Sequence, residues 1–445
     1  RSYGFSSGNL KWNSGGATAY TTSWVSGDVI GLAFNADTGS LTLYKNGTSL
    51  GVAFSSIPAD TYFPIAGAYN SNSVSHLNFG QRAFAYPVSG FKGLCTQNLP
   101  APLVTKPSTV FDVITYTGTG AALTPTSSLG FNPDWIWIKS RSAATDHALY
   151  DVVRGAQARV ESNNSGAEVT SDDGVTAFNS AGFTLGTLAQ VNTNAATYAA
   201  WCWDAGTSTV SNTTGSIASQ VRANVSAGFS VVTYTGTGVL GTVGHGLGAV
   251  PNLIIVKRRD FLGSFYTYHS SIGNTGALGL DLTNATIVSS NFWNNTSPTS
   301  SVLTINNAST ELNANGGTYV LYVFSAVVGY SSFGSYVGNG SSDGSFVYTG
   351  FRPRWVMVKL SSSAGNPWLV FDSARSTYNV VGNKLAPNSS VAEDDASIGN
   401  STQNTVDFLS NGFKPRTADN GTNGSALTYI YAAFAEMPFN YSRAR

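Results

Sequence analysis

The sequence has few of the charged residues on which enzymes and nucleic-acid-binding proteins depend. Charged residues make up only 10% of the 445 residues, whereas an ordinary soluble domain has ~25%. The 23 basic and 23 acidic residues cancel, and no lysine and arginine cluster is large enough to follow a phosphate backbone. We therefore expect no nucleic acid among the partners. No apolar run reaches the length of about 18 residues that a transmembrane helix needs, so no membrane insertion is expected.

Cysteine and histidine are also scarce. The two cysteines, Cys95 and Cys202, lie far apart, which excludes a disulfide framework and a thiolate metal cluster. The four histidines show none of the spacings that are typical of a transition-metal site. The sequence therefore predicts no metal, no cofactor and no catalytic residue.

Glycine and aromatic residues are abundant instead. There are 48 glycines, aromatic residues reach 12%, and serine, threonine and asparagine take the surface places that lysine and glutamate usually fill. This composition favours many short strands that are joined by glycine and asparagine turns. The sequence predicts an all-β protein.

Three landmarks recur in the same order and identify three copies of one unit, which we call repeats 1, 2 and 3. The first landmark is a tyrosine that is followed by a Gly-x-Gly turn. The second is a proline just before an apolar strand that ends in lysine, and the third is Thr-Tyr followed by an apolar run. The landmarks begin at Tyr116, Pro133 and Thr197, at Tyr234, Pro251 and Thr318, and at Tyr336, Pro353 and Thr428.

The second landmark predicts a core strand. Proline cannot donate a hydrogen bond within a sheet, so it belongs at the entrance of a strand. The residues that follow are apolar on both faces, which is typical of a strand buried on both sides. We expect Lys139, Lys257 and Lys359 to end the burial and to carry their charge out to solvent on an apolar stem.

The landmarks set the boundaries of the modules. Repeat 1 is predicted at 111–206, repeat 2 at 225–328 and repeat 3 at 329–445, each as a β-sandwich. Linkers are expected at 101–110 and 207–224. The chain is thus expected to carry three tandem sandwiches behind an N-terminal module.

Repeat 2 is the divergent copy. Asp151 and Arg154 in repeat 1 match Asp372 and Arg375 in repeat 3, whereas repeat 2 has His269 and no arginine. An Asp–Arg pair at this spacing is either a buried structural ion pair or part of a ligand site. The residues that all copies share are expected to serve the fold.

Residues 1–100 follow a different pattern, in which alternating strands surround tight turns. An Asn-Gly dipeptide after an apolar run is the strongest short hairpin signal. The pattern consists of Trp24, Gly27–Gly31, Tyr44–Gly47, Asn78–Gly80 and Phe84.

That order and spacing resemble a SPRY domain, which is a concanavalin-like, bent β-sandwich of the jelly-roll type. The resemblance covers residues 3–84, and the first strands of the family would precede residue 1, so this copy is expected to lack its N-terminal strands. SPRY domains bind partners through loops at one end of the sandwich. The resemblance implies a binding module.

The rest of the chain resembles tail or fibre proteins predicted in marine bacteriophages. The resemblance rests on Asn98–Pro100, the Tyr-Thr-Gly-Thr-Gly turns, Pro133–Lys139, Leu149–Gly155 and Ala200–Trp203. It implies a virion structural protein that is made in the host bacterial cytoplasm and located in the tail or on the capsid surface. A tail fibre or surface fibre with the repeats as spacers is the first interpretation. A capsid decoration protein and a bacterial cell-surface adhesin or extracellular filament subunit are alternatives.

A fibre of this kind has expected partners. These are other virion proteins and a host cell-surface glycan or receptor used in attachment, together with further copies in a homo-oligomer such as a trimer. Trp293 with Asn294, and Trp368 with Asn366, are the predicted carbohydrate-binding residues, because rings stack on sugars while amides meet hydroxyls. Core packing is the alternative for each tryptophan.

A glycan depolymerase is the third interpretation. Asp146, His147 and Asp151 form the densest polar cluster. A general base needs an orienting partner and a nucleophile within reach, and the matching segment of repeat 3 keeps Asp372 without a histidine. The chain is therefore expected not to be an enzyme.

Overall fold

The computed structural model describes residues 2–20, 23–58, 62, 64–67, 74–95, 98, 101–125, 129–306, 309–393 and 405–438. The chain divides into two compact units, Arg1–Pro100 and Ala101–Arg445. Strand accounts for 41% of the residues and helix for 3%, which confirms the predicted all-β class. Within the described residues, no helix has the length and apolar character needed to cross a bilayer.

The N-terminal unit holds two small antiparallel sheets. Asn46 and Gly47 both have positive φ angles, 52° and 84°, and they form the two-residue turn of the hairpin that the sequence predicts. The first sheet has the order β1-β2-β3 and the second β4-β5-β6. The strands are β1 (Tyr3–Ser6), β2 (Leu10–Asn13), β3 (Gly16–Ala19), β4 (Ile30–Asn35), β5 (Ser40–Lys45) and β6 (Thr48–Phe54).

Aromatic rings form the core of this unit. Phe54 contacts Tyr3 at 5.2 Å and Phe5 at 5.5 Å between ring centroids. Trp12, on β2, is 41% exposed. The unit therefore has a small core between its two sheets.

Repeat 1 forms a six-stranded inner sheet and a two-stranded outer sheet. The inner order is β11-β10-β9-β8-β14-β7, and the outer pair is β12-β13. The chain enters through a 3-10 turn, Pro107–Thr109. The elements are β7 (Phe111–Thr117), β8 (Trp135–Ser140), β9 (Ala148–Asp151), β10 (Gly155–Val160), β11 (Val169–Thr170), β12 (Val175–Asn179), β13 (Gly182–Leu185), α1 (Ala189–Asn192) and β14 (Thr197–Trp203).

Repeat 2 has an eight-stranded inner sheet, β15-β16-β17-β24-β19-β20-β21-β22, and an outer pair, β18-β23. The segment 207–224, which was expected to be a linker, instead supplies the first two strands of this sheet. The elements are β15 (Thr209–Asn212), β16 (Ser219–Asn224), β17 (Phe229–Thr235), β18 (Gly241–Gly244), β19 (Leu253–Arg258), β20 (Tyr266–His269), β21 (Gly276–Gly279), β22 (Ile287–Val288), β23 (Val302–Ile305), α2 (Thr310–Asn313) and β24 (Thr318–Phe324).

Repeat 3 has a five-stranded inner sheet, β25-β32-β27-β28-β29, and an outer sheet, β26-β31-β30. Its strands are β25 (Ser331–Val337), β26 (Val347–Tyr348), β27 (Phe351–Leu360), β28 (Leu369–Asp372), β29 (Lys384–Leu385), β30 (Val406–Leu409), β31 (Gly412–Pro415) and β32 (Thr428–Pro438).

The inner sheets bury both faces, as the sequence predicts for the strand after the proline. In β8, Trp135 and Trp137 face a core that all three repeats share, while Ile136 and Ile138 face the core of repeat 1 alone. Repeats 2 and 3 have separate outer cores in the same way. Each inner sheet therefore separates the core that all three repeats share from a core that belongs to one repeat alone, which we call its private core.

The shared core closes around a pseudo-three-fold axis. Trp203, Phe324 and Phe434 occupy equivalent positions at the third landmark of each repeat, and their rings form a triangle. The centroid separations are 6.3 Å for Trp203–Phe324, 5.6 Å for Phe324–Phe434 and 5.7 Å for Trp203–Phe434. The three repeats thus pack around one common centre, whereas spacers in a fibre would stack in line.

The first and third landmarks meet in one clamp that each repeat builds. Tyr116 stacks on Tyr198 at 5.0 Å, Tyr234 on Tyr319 at 4.9 Å and Tyr336 on Tyr429 at 5.0 Å. A buried asparagine, six residues before the second tyrosine, accepts a main-chain N–H from the Gly-x-Gly turn and donates to a carbonyl beyond it. The asparagines are Asn192, Asn313 and Asn423.

The shared core makes the C-terminal unit one cooperative body, which calorimetry can test. Trp203→Ala leaves a cavity at the axis, so we expect a loss of about 3–5 kcal/mol and one common transition for all three repeats. The matched variant Trp12→Ala, in the other unit, should leave that transition unchanged. Separate melting of the three repeats, with only repeat 1 destabilised, would contradict a shared core.

Candidate functional site

Buried ionisable groups gather where one repeat meets the next. We name these places junction 1–2, junction 2–3 and junction 3–1 after the repeats that they join. Each junction is built on the turn after the second strand of the Pro-strand hairpin, that is, after β9, β20 or β28. These turns hold the charged residues that the sequence singles out.

The turn after β9 folds around Asp151. Its Oδ1 accepts the N–H groups of Val153 and Arg154 at 3.1 and 2.9 Å, so the carboxylate closes the turn before Gly155 starts β10 with a φ of 101°. In repeat 3, Oδ1 of Asp372 accepts the N–H of Arg375 at 2.9 Å in the same way. The aspartate therefore has a local structural role in both repeats.

Junction 1–2 is a buried network of charges. Arg154 Nε donates to Asp151, and Arg154 Nη1 donates to Glu168 at 2.9 Å. From repeat 2, Arg259 donates to both carboxylate oxygens of Glu168 at 2.8 Å, and the Tyr322 hydroxyl donates to Asp151 Oδ2 at 3.0 Å. The side chains of Asp151 and Arg154 are fully buried. Asp151 and Arg154 thus form a buried ion pair within repeat 1, which Tyr322 and the Glu168–Arg259 pair connect to repeat 2, and this confirms the structural interpretation of the Asp–Arg pair.

Junction 3–1 repeats this network with other partners. Arg375 Nε donates to Asp372 at 2.6 Å and Arg375 Nη1 to Glu393 at 2.7 Å. From repeat 1, Arg141 Nη2 donates to Glu393 at 2.7 Å and Trp201 Nε1 donates to Asp372 at 3.0 Å. Trp201 in repeat 1 is equivalent to Tyr322 in repeat 2. A different donor therefore satisfies the same aspartate position.

Junction 2–3 has no ion pair among the residues that the structure describes. His269 takes the place of the aspartate, and its Nε2 bonds to the Tyr431 carbonyl at 3.1 Å. The position equivalent to Trp201 and Tyr322 is Ala432, which has no side-chain donor. An aspartate at position 269 would therefore lack both its arginine and its cross-junction donor, and a neutral histidine avoids that cost.

Burial and charge pairing set the ionisation of these groups. Burial lowers the pKa of His269 to about 4 and that of His147 well below its usual range, so both rings are neutral near pH 7. Burial opposes ionisation of Asp372 too, but Arg375 and Trp201 keep its pKa below the ordinary value. The junctions thus hold neutral histidines and paired charges.

The lysines that end the core strands differ from the expectation that they reach solvent. Lys139, Lys257 and Lys359 are fully buried. Lys257 Nζ donates to the Ser165 carbonyl of repeat 1 at 3.0 Å, and Lys359 Nζ donates to the Asn366 carbonyl at 2.9 Å. Lys257 and Lys359 each reach a carbonyl of the preceding repeat, Ser165 and Thr283, which the sequence did not reveal. Lys139 donates to Ser140 and Ala143 of its own repeat.

Burial lowers the pKa of Lys139, Lys257 and Lys359 from 10.5 to about 8. Between these two values the folded protein has released protons that the unfolded chain still holds, so the free energy of unfolding should rise with pH from about 8 towards 10. Each lysine contributes at most ~3 kcal/mol to this rise. Lys359→Met should reduce the slope by about a third in denaturant titrations at a series of pH values. A slope that the substitution leaves unchanged would contradict the burial of the ammonium group.

The predicted carbohydrate-binding residues do not form an exposed platform. Trp293 and Trp368 are each 1% exposed. Trp293 Nε1 donates to the Gly276 carbonyl at 2.9 Å within repeat 2, and Trp368 Nε1 donates to the Gly279 carbonyl at 2.8 Å across junction 2–3. Core packing, the alternative for both rings, is what the structure shows, because each indole finds its partner inside.

The asparagines beside these tryptophans also take part in internal hydrogen bonds. Asn294 Oδ1 lies 3.3 Å from Asn306 Nδ2, and the main-chain carbonyl of Asn366 accepts from Lys359. Asn294 and Asn366 lie in different loops and different repeats. The four predicted residues therefore form no common site.

The cluster proposed for a depolymerase is also internal. His147 is fully buried, accepts from Trp137 Nε1 at 2.8 Å and lies 2.9 Å from the Ala386 carbonyl of repeat 3. Asp146 accepts from Asn163 at 2.6 Å, and Asp151 lies in junction 1–2. His147 thus has both ring nitrogens occupied by internal partners.

Sequence analysis missed the outer members of the networks. Glu168, Glu393, Arg141 and Arg259 carry the cross-junction charge pairs. One signal was available, because an arginine stands two residues after the core-strand lysine in the first two repeats, where the third has Ser361. The glutamates gave no signal, since their loops share no motif.

The buried pairs can be separated from surface pairs by matched substitutions. Arg375→Met leaves Asp372 and Glu393 buried without their partner, so we expect a loss of about 3–5 kcal/mol in the free energy of unfolding. Arg416→Met removes an exposed arginine that pairs with Asp343 in the same repeat, and we expect a change below about 1 kcal/mol. Denaturant titration measures both. Equal losses would show that junction 3–1 does not depend on its ion pairs.

Comparison with known protein families divides the chain in the same place as the structure. A model described as a domain of unknown function (DUF7483) matches residues 106–438. The SPRY domain model matches residues 1–82, which confirms the SPRY domain that the sequence pattern predicts at the N-terminus. No solved structure matches the chain.

Curated relatives are similar over a short part of the chain. The "E3 ubiquitin-protein ligase RKP" of Arabidopsis thaliana is 42% identical over 88 residues, which are 19% of this chain and 7% of the relative. Ran-binding protein 9 of Homo sapiens is 34% identical over 92 residues, 20% of this chain and 12% of the relative. Ran-binding protein 10 of Danio rerio is also 34% identical over 92 residues, which cover 15% of that relative. The chain thus spans only a small fraction of each relative.

Proposed function

The chain belongs to the family described as a domain of unknown function (DUF7483), and from that premise we propose that it is a non-enzymatic structural protein displayed on a bacteriophage virion. The observation that supports this function is where the ionisable groups lie. Those that sequence analysis regarded as candidates for chemistry, His147, Asp151 and Asp372 among them, hold the repeats together. A rigid, weakly charged body suits display better than catalysis.

The closed arrangement favours a compact head over a fibre shaft. Spacers in a shaft fold independently and meet through small contacts. Here the rings of Trp203, Phe324 and Phe434 pack together, so no repeat keeps its core when separated from the others. This supports a head at the tip of a tail fibre, or a capsid decoration protein, as the form that the structural role takes.

The SPRY domain is the part that we assign to partner binding. SPRY proteins are mostly protein-interaction modules, and the relatives named above share this domain. We propose that this domain attaches the chain to a virion protein or to a host-surface protein. Both Trp293 and Trp368 are buried, so their rings are not offered to a glycan.

Electron microscopy of virions labelled with antibody against this protein tests the proposal. Gold on the tail supports a tail-fibre head, and gold over the capsid supports a decoration protein. Label on uninfected bacterial cells, with none on particles, would overturn both and favour an adhesin or filament subunit. Turnover of host polysaccharide by the purified chain would overturn the non-enzymatic assignment and favour a depolymerase.

A further inference from the structure

Each repeat places one equivalent strand at the same side of its inner sheet. These strands are β7, β17 and β25, and each pairs with the closing strand of its repeat, β14, β24 or β32. A strand at this position offers its outer main-chain groups to a further strand. The three repeats treat this edge in three different ways.

In repeat 2 the edge is covered by the chain itself. Strand β16 pairs with β17 antiparallel from Ser219↔Tyr234 to Asn224↔Phe229. Val221 of β16 is buried in the private core of repeat 2. The geometry of this sheet therefore accepts an added antiparallel strand, and repeat 2 contains an example.

In repeat 1 the edge is closed by a charge. Asp112 Oδ1 accepts the outward N–H of Val113 at 2.7 Å and also pairs with Arg354 of repeat 3 at 2.8 Å. A charged side chain that occupies an edge N–H is a device against strand pairing. Strand β7 is thus protected without an added strand.

In repeat 3 the edge is open among the residues that the structure describes. Ala435 donates to Tyr330 and Gly338 donates to Leu427, which fixes the alternation of hydrogen bonds along β25. The even-numbered residues between them bond to β32, so the N–H and C=O groups of Phe333 and Ser335 point away from the sheet. These positions correspond to Val231 and Thr233, which β16 covers in repeat 2.

The open part of the edge is Phe333–Ser335, because the Ser331 N–H bonds to the Val327 carbonyl and the Ser345 hydroxyl donates to the Val337 carbonyl. The sequence Ser331–Val337 contains no charged residue and no proline. Residues 345–348 lie beside this edge, because the Ser345 hydroxyl donates to the Val337 carbonyl and the Tyr431 hydroxyl donates to the Tyr348 carbonyl. This segment and the end of β25 carry exposed apolar side chains. Val337 and Tyr348 are each 55% exposed, and Phe346 is 48% exposed. An uncharged edge beside exposed apolar groups favours pairing with another strand.

We propose that β25 is a homodimer interface, in which β25 of one chain pairs antiparallel with β25 of a second copy. With a two-fold axis at Gly334, Phe333 of one copy stands opposite Ser335 of the other, so the outward main-chain groups of both residues satisfy each other. Gly334 lies at the closest approach of the two strands, where it has no side chain to clash. Ser332 then stands opposite Tyr336, whose ring stays stacked on Tyr429 within its own repeat.

A second copy fits this edge better than a charged partner does. The strand carries no charge, so two copies do not repel each other when they pair. The two inner sheets would join into one sheet across the axis, and the exposed Phe346 and Tyr348 of both copies would lie beside the new strand pair. The interface is isologous and therefore closes at two chains.

Ser335→Pro tests the pairing in the full chain. Proline removes the outward N–H without breaking a bond to β32, and it does so in both copies of a dimer. Because each lost main-chain hydrogen bond costs about a factor of ten, dimerisation should weaken on the order of a hundredfold in sedimentation equilibrium. Ser335→Ala keeps the N–H and should dimerise like the unmodified chain.

A second edge supplies the control. Ser211→Pro places the same change on β15, the outer strand of repeat 2, and should not affect dimerisation. An unmodified chain that stays monomeric, or a dimer that Ser211→Pro disrupts and Ser335→Pro does not, would overturn the proposal.

Hydrogen exchange keeps the proposal testable if Ser335→Pro does not fold. In the unmodified chain, protection of the Phe333 and Ser335 amides should increase with protein concentration. Protection that is independent of concentration would mean that the edge is covered within a single chain, and absence of protection at high concentration would mean that it stays open. Either result overturns the dimer.

Discussion

The packing of three equivalent aromatic rings at one point determines the rest of the C-terminal unit. Trp203, Phe324 and Phe434 end the apolar runs of their strands, and they meet at 5.6 to 6.3 Å. For these rings to meet, each inner sheet must turn one face to the centre and the other to its own repeat. That requirement explains why the strand after each proline is apolar on both sides, and why a single repeat cannot bury its inner face alone.

A ring of three repeats has three junctions but only two chain connections. Residues 325–330 tie repeat 2 to repeat 3, and among the described residues junction 2–3 has hydrogen bonds but no ion pair. Junction 3–1 has no such connection, and there Arg141, Arg375 and Glu393 form a buried charge network. Removing one partner of such a network leaves a buried charge uncompensated, which is strongly destabilising. A repeat placed at another junction would therefore leave buried charges without partners.

Sequence analysis predicted the elements well and their assembly poorly. The all-β class, the SPRY domain and the two-sided core strands were visible because they depend on local composition and period. The burial of Lys359 and Trp368 was not visible, because a neighbouring repeat supplies the cover. A lysine at the end of an apolar strand has the same pattern whether solvent or another repeat lies beyond it.

The same reasoning explains why the tryptophans that were predicted to bind carbohydrate are buried. Asn388 Oδ1 accepts the main-chain N–H of Trp368 at 2.9 Å, and in the sequence such an amide cannot be distinguished from one that binds a sugar. A constant spacing was the better signal. Six residues separate Asn192 from Tyr198 and Asn313 from Tyr319, and a shared structural role explains why the spacing recurs in each copy.

Function is thus better sought at positions where the copies differ and where no residue of a neighbouring repeat compensates for the difference. Junction differences fail this criterion, because each change at one position, such as His269 for aspartate, is matched across the junction by Ala432. Strand β25 meets it, because Asp112 and β16 close the equivalent edges, whereas among the described residues the outward groups of Phe333 and Ser335 have no such cover.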